Sequence, residues 1–266
     1  MKKIIASFLL VTAAAFCPLL AQADVSLSVS IAPPPLPVYA QPPIPGDGYM
    51  WTPGYWSWNA NDNDYYWVPG TWVSAPFVGA LWTPGYWGWG GGSYAWHGGY
   101  WGTHIGFYGG VNYGYGYGGT GYQGGHWDHG AFNYNRSVNN VSNIRSVHVY
   151  NSRVTNVTNN RSSFNGGKGG VNVQQSKSDE MISNMPHKGP TEPQANHESA
   201  ARTSQPQRAS VNHGMPPVAA TPEPGKFNAP NVSAARAAPA PRGNSQPHNS
   251  QPRQSAPRGG GHEEHR

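Results

Sequence analysis

"WTPGYWSWNANDNDYYWVPGTW", residues 51–72, contains five tryptophans and two copies of the pattern Trp-x-Pro-Gly-x-Trp. Working outward, "LWTPGYWGW" (81–89) and "YAWHGGYWG" (94–102) add a third and a fourth copy. The copies run Trp51–Trp56, Trp67–Trp72, Trp82–Trp87 and Trp96–Trp101, with starts 16, 15 and 14 residues apart. That spacing is too short for solenoid repeats and suits one β-hairpin per copy, two strands of about five residues and two turns. Proline presets the first central residue of a turn and glycine supplies positive φ at the second. Pro53-Gly54, Pro69-Gly70, Pro84-Gly85 and Gly98-Gly99 are therefore read as the turns. On that reading Trp51 faces Trp56, and period-two alternation adds Tyr49 and Trp58 to the same face. Trp82, Trp87 and Trp89 form the equivalent ladder in the third copy; Trp67 and Trp72, and Trp96 and Trp101, form those of the second and fourth. Only Gly98-Gly99 suits the primed turns that hairpins favour.

Composition sets the frame. The 266 residues include 35 glycines and 26 prolines, and Leu, Ile, Val and Phe are scarce. All 11 tryptophans lie between Trp51 and Trp127, so aromatic rings replace an aliphatic core. Charge divides the chain. From Asp24 to Asn135 there are five aspartates and no Lys or Arg; from Arg136 onward there are 15 basic and 7 acidic residues. This is the signature of a neutral-to-acidic module with a basic arm.

The start, "MKKIIASFLLVTAAAFCPLLAQADVS", reads as a secretory signal cut between Ala23 and Asp24. Its apolar stretch is short for a membrane span, so the mature chain is expected to have none. Phe16 before Cys17, the sole cysteine, argues against a lipoprotein signal. The mature chain then has no disulfide in a compartment that would permit one. Export through the secretory pathway follows, to the periplasm, the outer membrane or the exterior.

The reading divides the chain into a signal peptide (1–23), a Pro-rich lead-in (24–48) with a short strand over Val25–Ile31, and the Trp-rich hairpin repeats (49–104). A Gly/Tyr-rich segment (105–135), strands rich in Asn, Val and Arg (136–170) and a disordered basic tail (171–266) complete it. The fold class expected is mostly β with extensive disorder, built on small aromatic-rich hairpins.

The quoted motifs, with "APPPLPVY", "HIGFYGGVNYGYGYGGTGYQGGHW", "YNRSVNNV" and "SSFNGGKGG", resemble the bacterial WXXGXW (YXWGXW) repeat proteins over roughly residues 24–170. The resemblance implies a secreted, envelope-associated bacterial protein and no particular activity. The fourth copy departs from it by carrying Gly98 where the others have proline.

Candidate chemistry is sparse. Asp62 and Asp64 could pair as carboxylates, or join Asn61 and Asn63 around Ca²⁺, but "NANDND" is typical loop composition and lacks the EF-hand spacing. His126, Asp128 and His129, with His97 and His104 upstream, carry metal-ligating groups without an enforced geometry. His262 and His265 fall short of a zinc helix. No catalytic triad, phosphate loop or dinucleotide fingerprint is present, so no enzyme, cofactor or metal site is expected. Basic and aromatic residues are segregated rather than interleaved, which argues against nucleic acid. Two readings are left: a structural and interaction module, self-associating or touching an anionic envelope surface through its basic arm; or a glycan binder whose exposed rings stack on envelope polysaccharide.

Overall fold

The computed structural model describes residues 28–142, 148–154 and 161–238. The expected signal peptide, its Ala23/Asp24 cleavage site, His262 and His265 lie outside the described residues. The chain is mostly strand, aromatic-rich and built on hairpins, as expected.

The pairing inside the hairpins differs from the expectation. Trp51 lies opposite Trp72 rather than Trp56, and Trp56 lies opposite Trp67. In the same way Trp82 pairs with Trp101 and Trp87 with Trp96. The four motifs therefore make two long ribbons, each from two motifs running antiparallel. The first ribbon pairs Tyr49–Thr52 with Gly70–Ser74 and Tyr55–Asn59 with Asp64–Val68. The second pairs Leu81–Thr83 with Tyr100–Gly102 and Tyr86–Gly90 with Ser93–His97.

The hairpin turns are elsewhere too. In the first ribbon the chain reverses over 60–63, with Asn63 in the left-handed region at φ 51°, a conformation asparagine tolerates better than most residues. In the second it reverses at Gly91-Gly92, φ 59° and 87°, the double positive φ of a primed two-residue turn. Pro53-Gly54, Pro69-Gly70, Pro84-Gly85 and Gly98-Gly99 are not turns. They are mid-ribbon breaks, and none of these four glycines that follow has positive φ. The physical reason lies in the partner strand. Proline has no N–H to give a ladder, and the pairing places Pro53 opposite Gly70 and Gly54 opposite Pro69. Both strands break at the same level, so the register is identical on either side.

The break also resolves a parity problem. The two tryptophans of a motif are five residues apart, which in an unbroken strand sends them to opposite faces. Across the break they share one: Tyr39 packs on both Trp51 and Trp67, and Trp67 is the cross-strand partner of Trp56. Tyr115 lies on Trp51, while Trp56 donates its indole N–H to Pro35 O (3.1 Å) in the lead-in and lies beside the second ribbon. The ribbons join through Trp87 Nε1 to Trp56 O (2.8 Å), the stacked rings of Tyr55 and Trp96, and Met50 Sδ against Trp82 N.

The Gly/Tyr-rich segment is ordered around this core. Tyr117 OH sits 2.8 Å from Trp82 O and 3.4 Å from Trp51 O, the same motif position in each ribbon. Tyr113 OH donates to Gly85 O at 2.6 Å. Burial raises the pKa of both hydroxyls, keeping them as donors. Gly125–Asp128, Ala131–Asn135 and Val149–Tyr150 form a separate three-stranded sheet. Within "RSVHVYNSRVTNVTNN" the strand is only Val149–Tyr150; residues 145–147 and 155–160 lie outside the described residues. Of the lead-in strand expected over Val25–Ile31, Ser28–Val29 is the strand observed.

Of the tail expected to be disordered over 171–266, residues 171–238 are ordered, and 239–266 lie outside the described residues. It carries α1 (Lys177–Ser183), α2 (Glu192–Thr203), α3 (Ala209–Asn212) and a short strand, Ala220–Thr221, parallel to Gly70–Thr71. Its composition cannot form a core of its own. It is ordered instead by lying on the ribbons, mainly the first, with Lys188 and Gln194 on Trp101 of the second. Among the described residues no helix is long and apolar enough to cross a membrane.

Candidate functional site

The motif glycine is required by close approach. A Cβ on Gly54 would collide with the Trp67 ring and stand 2.8 Å from both Gly70 N and Val68 O. On Gly70 it would meet Trp51 Cζ2 at 2.5 Å, on Gly85 Trp96 Cζ2 at 2.5 Å, and on Gly99 Trp82 Cζ2 at 2.5 Å. The relation is reciprocal. The first tryptophan of each motif lies flat over the glycine of the motif across the ribbon, and that motif's first tryptophan returns the contact. Gly98, in contrast, has nothing within 4 Å of where a Cβ would be, which is why proline's place can be taken there without effect on packing.

The second tryptophan of each motif packs against the first tryptophan of its partner. The four cross-strand pairs have almost identical ring separations, 5.3 Å for Trp51–Trp72, 5.2 Å for Trp56–Trp67, and 5.3 Å for both Trp82–Trp101 and Trp87–Trp96. Such tilted or edge-on pairs suit the ring quadrupole. Trp51, Trp56, Trp67, Trp72, Trp87 and Trp101 are at most 1% exposed, and Trp82 is 6%. Trp58 and Trp96 are half-buried, the former edge-on to Tyr65. Only Trp89, at 40%, stands out from the surface.

Buried indole N–H groups need acceptors, and these are backbone carbonyls or one amide. Trp72 donates to Pro42 O (2.9 Å), Trp67 to Ala219 O (3.0 Å) and Trp101 to Gln194 Oε1 (2.8 Å). Thus the lead-in and the tail are both held by the motif tryptophans. Trp51 Nε1 is buried without a hydrogen-bond partner.

The tail arm over 188–221 reaches the breaks of the first ribbon directly. His197 in α2 is 2% exposed; its Nδ1 accepts from Gly225 N (2.9 Å), so Nε2 carries the hydrogen and donates to Pro69 O (2.9 Å). Burial pushes its pKa down to about 4, so the ring is neutral. Gln207, fully buried, donates to Trp67 O (3.1 Å) and Val218 O (2.7 Å). Glu198 Oε1 accepts from Ser57 and Tyr66, each at 3.1 Å.

The residues weighed for catalysis or metal are engaged structurally. Asp62 pairs with Arg208 at 2.8 Å, and Asp64 accepts from Ser210 Oγ at 2.6 Å, so basic arm and acidic loop meet. His129 and Asp128 form an exposed pair at 2.7 Å, and His126 lies against Tyr150. Among the described residues no three His, Cys, Asp or Glu converge as a metal site would need.

The arm residues His197, Gln194 and Gln207 were not legible as site residues. A signal for the helix that carries Gln194 and His197 did exist. Thr191-Glu192-Pro193-Gln194 is a capping box with proline in the first turn, and both of its reciprocal contacts form.

Compared with known proteins, the chain matches the WXXGXW repeat model in two copies, at residues 46–73 and 81–101. No curated protein and no solved structure matches it. Each matched copy contains two tryptophan motifs and corresponds to one ribbon, so the unit that repeats is the closed ribbon and not the single motif. The chain carries two copies of the WXXGXW repeat, one in each of its two ribbons.

Proposed function

We propose that this chain is a non-enzymatic, exported structural and interaction protein of the cell envelope, in which the repeats form a rigid core that displays polar arms. The observation that carries this reading is the burial of the repeat tryptophans, whose rings cover glycines and whose N–H groups hold backbone. Rings so placed are core and have no free face to offer a ligand. The carboxylates Asp62 and Asp64, the nearest to a catalytic pair, are held by Arg208 and Ser210. The test is intrinsic tryptophan emission and acrylamide quenching of the full chain, with and without envelope polysaccharide. A blue-shifted maximum, poorly quenched and indifferent to polymer, is expected. A red, readily quenched maximum would contradict it.

Polysaccharide binding keeps one specific support. Trp89 borders an open groove with Tyr86, His97, Asn172 and Gln174, an aromatic-and-amide surface of the kind sugars stack and hydrogen-bond on. On this second reading, Trp89→Ala removes polymer binding and leaves folding intact.

A further inference from the structure

The tail arm has the properties of a ligand as much as those of a structural element. It reads the ribbon breaks through backbone and short side chains: Lys188 exchanges N–H and C=O with Trp101 (2.9 and 2.7 Å), and Ala219 O accepts from both Trp67 Nε1 (3.0 Å) and Gly70 N (3.1 Å). Thr221 Oγ1 donates to Thr71 Oγ1 at 2.9 Å. The apolar residues it buries are small, Ala201, Ala219, Ala220 and Pro216, while Val211 and Met215 stay exposed. Contacts of this kind are individually weak, so the docked state is held by many separable bonds.

The connector is the second observation. Residues 174–190 are exposed except for half-buried Asp179 and Ile182, and α1 within them has no buried residue. Upstream, Phe164–Asn165 is anchored as a strand beside Trp87–Gly88. Asn165 in turn holds the backbone of Val173 (2.8 and 3.1 Å), and the stretch 174–187 between Val173 and Lys188 spans up to about 46 Å when extended, enough to reach a neighbouring molecule.

We propose that residues 188–238 exchange between copies, this arm of one chain docking on the first ribbon, Trp101 and the lead-in of a second in the contacts it makes within its own. Every contact is conserved in the exchange, so the closed and exchanged forms differ only in connector entropy and concentration. The proposal rests on the structural and assembly reading above. It gives self-association a defined surface, the Pro69-Gly70 break with Trp67 and Trp101.

The test uses full chains carrying Cys17→Ser. Thr71→Cys and Thr221→Cys in one chain closes an internal disulfide, which shows that the variants fold and dock. Chains carrying only Thr71→Cys are then mixed at high concentration with chains carrying only Thr221→Cys and oxidised. A disulfide-linked dimer is expected in at least about tenfold excess over a control mixture of Thr71→Cys with the connector variant Ser183→Cys, because docking raises the local thiol concentration to the millimolar range. Equal yields in the two mixtures overturn the proposal, as does a mixture that remains monomeric while the double variant closes. Wild-type mass by light scattering supplies a second readout; the dimer fraction rises with concentration if arms exchange and stays at zero if they do not. A blue-shifted, quench-resistant chain that gives no heterodimer leaves the structural reading standing and removes exchange alone.

Discussion

The two ribbons share register, ring separations and the tryptophan-on-glycine contact, yet they are covered differently. In the first, Trp51, Trp56, Trp67 and Trp72 are all at most 1% exposed, because the lead-in lies on one side and the arm on the other. In the second, Trp96 is half-buried and the outer Trp89 is 40% exposed, beside an open groove. The turns differ as well, a four-residue reversal braced by Asn59, Asp62 and Arg208 against a bare Gly91-Gly92. What is common to both ribbons is the motif's own physics. What differs is the cover: the first ribbon carries the lead-in and most of the arm, while the second touches the arm through Trp101 and leaves Trp89 at the surface.

Substitutions can break that comparison. Trp67→Ala empties a site at 0% exposure, uncovers Gly54 and removes one of the two donors to Ala219 O, and is expected to cost about 3–5 kcal/mol. Trp89→Ala in the other ribbon is expected to cost less than about 1 kcal/mol. Denaturant midpoints of the two variants check the contrast, and equal losses would remove the distinction between core and surface tryptophans.

Acid should act on the first ribbon alone. His197 is neutral in the fold with a pKa of about 4, below the usual value of 6.5. As pH falls through 6.5 the unfolded or undocked arm takes a proton that the docked arm refuses, so docking is strongest above pH 6.5 and weakens down to pH 4. The full loss is on the order of 3 kcal/mol. The ring faces the Pro69 carbonyl, Gly225 N–H and Phe227, with Glu198 next in the chain. His197→Gln should flatten the profile between pH 6.5 and 4, measured by proteolysis of the arm. An unchanged profile would assign the acid sensitivity elsewhere.

Smallest is Arg208→Ala. The Asp62 pair is about a third exposed on each side, so its removal should cost no more than about 1 kcal/mol and fade with salt. A larger effect would mean that the loop, and not the breaks, holds the arm.

Much of this was legible, and the failures have physical causes. The β class, the hairpins, the primacy of the tryptophans and the charge split between an acidic module and a basic arm were readable from composition and spacing. Strand pairing was not. Trp-x-Pro-Gly-x-Trp is equally consistent with a tight turn at Pro-Gly and with a broken strand, and local turn propensity favours the first. The deciding fact is non-local: two glycines 16 residues apart, Gly54 and Gly70, must lie face to face so that each receives the other motif's ring. The arm failed for the opposite reason. Its alanines, glutamines and prolines lack the apolar area to order themselves, and the partner that orders them is the ribbon, whose exposed carbonyls leave no trace in sequence.

The most direct test of the central claim compares two adjacent glycines, Gly98 and Gly99, by thermal unfolding of Gly98→Ala and Gly99→Ala full chains. A methyl at 99 meets Trp82 Cζ2 at 2.5 Å and Gly85 N at 2.8 Å; a methyl at 98 meets nothing within 4 Å. Closure of the ribbon by tryptophan on glycine predicts that Gly99→Ala lowers stability by about 3 kcal/mol, with Gly98→Ala within about 0.5 kcal/mol of the parent. Equal losses at both positions would mean that these glycines serve a turn, and the account of the repeat would be wrong.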